Sequence, residues 1–236
     1  MGFAALLGMG FAKWKAGDFA QFDATASLVL NSEPVFIPTE YPLADLPFVV
    51  IVVGRNNGAF LEKTIESVLN QHYSRYRLLY IDDASCDGSD KLAKECIDRH
   101  SNSLNAVFLR NEEQKGILAS LVSAVESCLD QEIVVVLHEE DWLAHEWVLQ
   151  KLNQYHADPD LWLTFCQCMS YPSCEKNRFC PFLQRGLRHR EEPLGFSRMH
   201  TFYASLFKKI DKADFLYQGE YIHGAGASPY LLPMLE

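Results

Sequence analysis

From Phe48 onward the chain alternates between two hydrophobic patterns. Phe48–Val53 (FVVIVV) is an unbroken apolar run, the pattern of a strand buried on both faces. Leu61, Ile65, Val68 and Leu69 then recur at helical spacing. Arg77–Asp82 (RLLYID) predicts a second strand, and Leu92, Cys96 and Ile97 a second helix. Asn105–Leu109 predicts a third strand, and Leu118, Leu121, Val122 and Val125 a third helix. Ile133–Leu137 (IVVVL) predicts a fourth strand. Successive strands end about 28 residues apart, the repeat of βα units that build a parallel sheet. A helix carrying Val148, Leu152 and Tyr155 and a strand at Leu161–Cys168 follow. Residues 169–200 read as loop, and Thr201–Ile210 as a short helix.

The first 46 residues lack this repeat and read as an extension. Residues 2–12 (GFAALLGMGFA) are strongly apolar, but the basic residues Lys13 and Lys15 follow them rather than precede them. That order disfavours a signal peptide. A buried or loosely attached helix is the preferred reading, and a membrane-surface anchor the alternative. Pro34, Pro38, Pro42 and Pro47 predict an extended connector. The division is therefore 1–46 as connector and 47–236 as one domain.

Composition narrows the class. Against 21 Lys+Arg stand 31 Asp+Glu, a formal net charge of −10, which disfavours general nucleic-acid binding. No apolar stretch approaches the ~20 residues of a membrane-spanning helix. The cysteine count, 7, is odd, and C-x-C with wider spacings over Cys166–Cys180 is not a zinc-knuckle pattern. Free thiols and a cytoplasmic location are expected, with peripheral membrane contact through residues 2–12 as a further expectation.

In an open parallel sheet, ligands bind beyond the carboxyl ends of the strands. Gly54-Arg55-Asn56-Asn57-Gly58 follows the first strand and matches neither a dinucleotide fingerprint nor a P-loop. Asp82-Asp83 closes the second strand, and Lys115-Gly116 opens the third helix. His138-Glu139-Glu140-Asp141 follows the fourth strand. Clustered carboxylates there suit Mg²⁺ or Mn²⁺ bound with substrate phosphates, and Asp82 or Asp83 could accept hydrogen bonds from a base or ribose. The plainer reading of each acidic pair is a helix-capping or solvated turn. A basic stretch at 176–190 (Lys176, Arg178, Arg185, Arg188, Arg190) reads first as a solvated loop and second as an anion clamp.

Ordered matches then identify a family. VVIVVGRNN, FLEKTIESVLNQHY and LLYIDDASCDGS resemble the GT-A glycosyltransferases of family 2, with Asn56, Ser67, Gln71, Tyr73, Asp82, Asp83, Ser85, Asp87 and Ser89 on the pattern. The resemblance covers about 48–236 and is strongest over 48–171. It implies an α/β fold: a three-layer α/β/α domain with a mostly parallel sheet and a Rossmann-like nucleotide-binding half at 47–145. Residues 146–236 would form the acceptor half, which is short for the family. The implied activity is transfer of a sugar, by a hexosyltransferase-type enzyme, from a nucleotide-diphosphate sugar, a UDP-sugar first, to a hydroxyl of a glycan, lipid or protein. Inversion and assistance by Mn²⁺ or Mg²⁺ are implied with it. Val53, Gly54, Arg55, Asn56, Asp82, Asp83, Lys115 and Gly116 would line the nucleotide pocket. His138, Glu140 and Asp141 would hold the metal.

Several positions depart from the family pattern. His138 and Glu140 stand where the two aspartates of D-x-D are expected. Leu121 replaces an Arg that pairs with donor phosphates, His200 replaces an Arg, and Ala227 replaces an Asp. The remaining candidates for a catalytic base are Asp214 and Glu220. The alternative function is therefore a catalytically degenerate relative acting as a nucleotide-binding or scaffold module. A nucleotidyltransferase ranks below both, because the loop after the first strand is not the basic, glycine-rich loop it requires.

Overall fold

The structure, a computed structural model, describes residues 3–12, 14–15, 18–19, 44–100, 103–170, 199–224 and 226–235. The chain opens with β1 (Phe3–Ala12) and the short pair β2 (Trp14–Lys15) and β3 (Asp18–Phe19). Then come β4 (Phe48–Gly54), α1 (Leu61–Leu69), β5 (Tyr76–Asp82), α2 (Ser89–Arg99), β6 (Ala106–Arg110) and α3 (Ile117–Glu126). β7 (Ile133–His138), β8 (Asp141–Leu143), α4 (Val148–His156) and β9 (Leu163–Ser170) follow. The last elements are β10 (His200–Tyr203), α5 (Ala204–Phe207), β11 (Leu216–Tyr217), β12 (Glu220–Tyr221) and α6 (Ser228–Leu235).

Eight strands form one sheet in the order β6-β5-β4-β7-β10-β9-β1-β8. β6, β5, β4 and β7 are parallel neighbours, and β10 pairs antiparallel with both β7 and β9. The chain steps outward from β4 to β5 to β6, then returns to the other side of β4 as β7. A crevice opens at such a reversal, between β4 and β7.

β4 is buried along its whole length, as its unbroken apolar run requires. Phe48, Val50 and Val52 join a core with α1, α2 and α4. Val49, Ile51 and Val53 point the other way, into a core with α3, α5 and α6. The layers are therefore helix, sheet, helix, with a parallel centre.

Two elements differ from expectation. The apolar run 2–12 suits a helix by pattern, but Phe3–Ala12 is a strand, antiparallel to β9 and parallel to β8. Gly8 and Gly10 lower the helix propensity of that run, and pairing with β9 satisfies its backbone. Thr201–Ile210 was read as a helix, but His200–Tyr203 pairs with β7 and β9, and only Ala204–Phe207 is helical. Thr, Phe and Tyr there suit a half-buried pleated surface. The basic residues of 176–190 lie outside the described residues, as does the Asn31–Pro42 portion of the connector. No helix among the described residues is long and apolar enough to cross a membrane.

Candidate active site

The matched motif first builds its own scaffold. The backbone N–H of Asn56 donates to Ser85 Oγ (3.0 Å), and Asn56 Oδ1 accepts from the Cys86 N–H (2.9 Å). Asn56 sits in the left-handed region (φ 53°), which Asn tolerates better than most residues. Ser85 N–H donates to Asp82 Oδ2 (3.0 Å), and Asp87 Oδ1 accepts from the Ser89 N–H (2.9 Å). The two Asn56 bonds tie the loop after β4 to the loop after β5, and the other two fold the β5 loop on itself. Gln71 ties α1 to the chain leaving β8, donating to His145 O (2.8 Å) and accepting from Leu149 N–H (3.0 Å). Ser67 Oγ accepts from Leu143 N–H (3.0 Å).

Asp82 and Asp83 have different surroundings. Asp82 is fully buried, and its Oδ1 has no hydrogen-bond partner among the described residues. Arg110 Nε stands 3.6 Å from its other oxygen. Asp83 accepts three hydrogen bonds: Oδ1 accepts from Asn111 Nδ2 and from Lys115 N–H, and Oδ2 from Gly116 N–H, each at 2.8 Å. It thereby positions the start of α3. Gly116 has φ +88°, and a Cβ there would stand 3.0 Å from the His223 ring. The glycine thus lets the C-terminal segment approach the amino end of α3, where N–H groups favour anions.

β7 ends in a tight turn that brings Glu139 under the β4 loop. Its carboxylate accepts from the Arg55 N–H, and its carbonyl from Asn57 Nδ2 and Thr64 Oγ1. Burial, with Glu140, Asp82 and Asp83 nearby, raises the Glu139 pKa above the usual carboxylate range. A Cβ on Gly54 would stand 2.5 Å from Tyr80 Oη and 3.2 Å from Glu139 Oε2. The absence of a side chain at Gly54 therefore leaves room for both the tyrosine hydroxyl and the carboxylate beside the strand end.

These groups border a cleft of about 740 Å³ beyond the carboxyl ends of β4 and β7. That size falls in the usual range for small-molecule sites. Of the residues that the resemblance assigns to a nucleotide or a metal, Val53, Gly54, Arg55, Asp83, Gly116 and His138 line it. Asn56, Asp82, Lys115, Glu140 and Asp141 lie outside the lining; Asn56 and Asp82 brace the loops instead. Asp141 is fully buried on β8. Asp214 is exposed on a 3₁₀ turn and Glu220 exposed on β12, and neither reaches the cleft.

Sequence reasoning missed Glu139 and His223, both in the lining. Glu139 occupies the spacer position of D-x-D, which carries no chemical expectation. His223 had no second ligand at a diagnostic spacing. Leu121, His200 and Ala227, the three departures beyond the acidic turn, all border the cleft. His200 Nε2 is 2.6 Å from Tyr230 Oη, and both are buried.

The metal expectation needs adjustment. Of His138, Glu140 and Asp141, only His138 borders the cleft, and Glu139 joins it there. No group of three His, Cys, Asp or Glu suited to hold a metal occurs among the described residues. A cation that takes most of its ligands from a diphosphate and water needs only one or two protein donors.

A mostly parallel sheet between two helical layers, with a crevice at the strand reversal, is the architecture of the GT-A fold. Residues 49–215 match the family model described as Glycosyl transferase family 2, and the chain belongs to that family. It is similar to the putative glycosyltransferase EpsE of Bacillus subtilis (strain 168), 34% identical over 76 residues, covering 32% of this chain and 27% of that protein. Glycosyltransferase GlyA of Streptococcus pneumoniae serotype 4 (strain ATCC BAA-334 / TIGR4) is 24% identical over 119 residues, 49% of this chain and 16% of that one. Among solved structures, S. aureus TarS 1–349 superposes with TM-score 0.58 at 13% identity, covering 80% of this chain and 55% of that chain. The same protein in complex with UDP gives 0.55 at 14% identity, over 80% and 54%. The mannosyltransferase PcManGT from Pyrobaculum calidifontis, in complex with GDP-Man and Mn²⁺, gives 0.52 at 17% identity, over 72% and 50%. The matches thus span under a third of the curated relatives and about half of the solved chains.

Proposed function

We propose that the protein transfers a sugar from a nucleotide-diphosphate sugar, UDP-linked first among candidates, to an acceptor hydroxyl. The observation that carries this reading is the cleft at the β4–β7 reversal, bordered by Gly54, Arg55, Asp83, His138 and Glu139, in a chain of family 2. Arg55 and the amino end of α3 offer donors and positive potential to a diphosphate. Asp83 holds that helix end in place without spending its charge on the ligand. His138 and Glu139 would hold Mn²⁺ or Mg²⁺, which would stabilise the departing nucleoside diphosphate as a Lewis acid. His223, whose ring lies against Gly116 in the same cleft, would take the acceptor proton during direct displacement with inversion.

A UDP-release assay over a panel of UDP-sugars with Mn²⁺ tests the reading. Release above the blank, reduced at least tenfold in Glu139→Gln, is the expected result. A second reading rests on Leu121, His200 and Ala227, which place uncharged or internally bonded groups where relatives carry charges. On that reading the protein binds nucleotide without turnover, so UDP would bind while no UDP-sugar releases UDP.

A further inference from the structure

β6 is the last strand on its side of the sheet among the described residues. One bond fixes which way its backbone faces: the Asn111 N–H donates to Asp82 O at 2.8 Å. Alternation along the strand then turns the N–H and C=O groups of Val107 and Leu109 toward β5. Those of Ala106, Phe108 and Arg110 point outward from the sheet. Native edge strands are usually guarded by proline, lysine or a bulge, and β6 has none of these. Its one charge, Arg110, is engaged with Asp90 and with Ser85 O. Ala106 and Phe108 pack into the core that includes α2. On the other face Val107 and Leu109 are 43% and 46% exposed.

The helix beside this edge carries a matching charge pattern. Arg99 of α2 bonds Glu62 of α1 at 2.8 Å, which marks the flank of α2 turned toward α1. Asp90 bonds Arg110 and marks the flank turned toward β6. Next to Asp90, Lys91, Lys94 and Asp98 fall at i, i+3 and i+7 and form one exposed stripe. None of the three makes an ion pair within the described residues. Lysines thus stand at the amino end of the stripe and an aspartate at the other.

We propose that the β6 edge binds a second copy of this chain, strand to strand and antiparallel, about a two-fold axis at Phe108. Three features fit their own rotated copy there. The outward N–H of Phe108 meets the Phe108 carbonyl of the second copy, and Ala106 and Arg110 exchange bonds in the same way. Val107 then faces Leu109 of the second copy in a non-hydrogen-bonded pair, the kind in which side chains come closest. The two α2 helices run antiparallel beside each other, so the lysine end of each stripe meets the aspartate end of the other. A partner of one charge sign would satisfy only half of that stripe. The cleft lies at the ends of β4 and β7, away from this edge, so both copies keep it open. The inference is independent of the donor reading.

The test is sedimentation velocity of the full chain over a concentration series. A single strand pair with flanking helices is a small interface, so the mass should rise from one chain toward two between about 1 and 200 µM. Val107→Lys with Leu109→Lys, at two exposed positions, should leave one chain throughout while melting within a few degrees of the unaltered protein. Lys91→Glu and Asp98→Lys should each weaken the dimer roughly two- to fivefold, and the two together should restore it. A single chain at about 200 µM overturns the proposal, since even a weak specific pair would form there. So does a dimer that survives the double lysine variant, because it must use another surface. Losses that add in the charge swap, with no recovery, overturn the antiparallel arrangement.

Discussion

The Asp83 carboxylate accepts the Gly116 N–H at 2.8 Å, so a β5-end carboxylate holds the amino end of α3 against the cleft. The same side chain accepts from Lys115 N–H and Asn111 Nδ2. Its function is positional as much as electrostatic. Replacing it leaves three donors to find other partners at a nearly buried site. Asp83→Ala should therefore cost roughly 2–4 kcal/mol of stability. Asp83→Asn, which keeps one acceptor oxygen, should cost less. Urea denaturation of the two variants measures both, and equal stabilities would remove the positional role.

Gly54 faces a closer constraint. A Cβ at this position would lie 2.5 Å from Tyr80 Oη and 3.2 Å from Tyr80 Cζ. Gly54→Ala should destabilise by about 1–3 kcal/mol through overpacking. Tyr80→Phe removes the nearest atom, so the double variant should recover part of that loss. A double-mutant cycle with positive recovery fits the described contact, and strict additivity does not.

Gln71 is 4% exposed and makes three backbone bonds, to Ser67 O, His145 O and Leu149 N–H. Gln71→Ala strands two of those partners on segments it joins. The expected cost is about 2–4 kcal/mol, read as a lower denaturation midpoint. The chain leaving β8 should loosen with it, so hydrogen exchange at residues 143–149 should quicken.

His156 packs against Phe48 and Tyr203, and its Nε2 is 2.8 Å from Thr201 Oγ1. Burial lowers its pKa from 6.5 to about 4. The unfolded chain therefore binds a proton near pH 6.5 that the folded chain refuses until about pH 4. Its effect is absent above pH 6.5, and stability falls as pH drops through that window. The loss should reach the order of 3 kcal/mol at the acid end. His156→Gln should flatten the 6.5-to-4 slope of a urea-midpoint against pH plot; an unchanged slope would assign the acid lability elsewhere.

β4 and β7 are legible because each is a continuous apolar run, a pattern that burial on both faces enforces, whereas the edge strand β6 leaves Val107 and Leu109 exposed. Motif positions such as Ser67, Gln71 and Asp83 were legible as a pattern, but the sequence could not say that each ends in a backbone hydrogen bond. Phe3–Ala12 and Thr201–Tyr203 were misread because short apolar runs fit strand and helix alike, and a distant partner strand decides between them. α6 went unseen because it is apolar on most sides and carries Pro233. Glu139 was hidden for a different reason. The turn after β7 brings it into the cleft with His138, while Asp141 is committed to β8, and that divergence depends on backbone geometry. Asp214 and Glu220 are the acids that the downstream sequence offers, but neither lines the cleft.

The most direct test of the central claim is a thermal-shift titration with UDP, with and without Mn²⁺. A ligand that binds the folded chain at 100 times its Kd adds about 2.7 kcal/mol of stability. The account predicts a rise in Tm with UDP, enlarged by Mn²⁺, and loss of the Mn²⁺ increment in His138→Ala. An unchanged Tm with UDP under both conditions would contradict it.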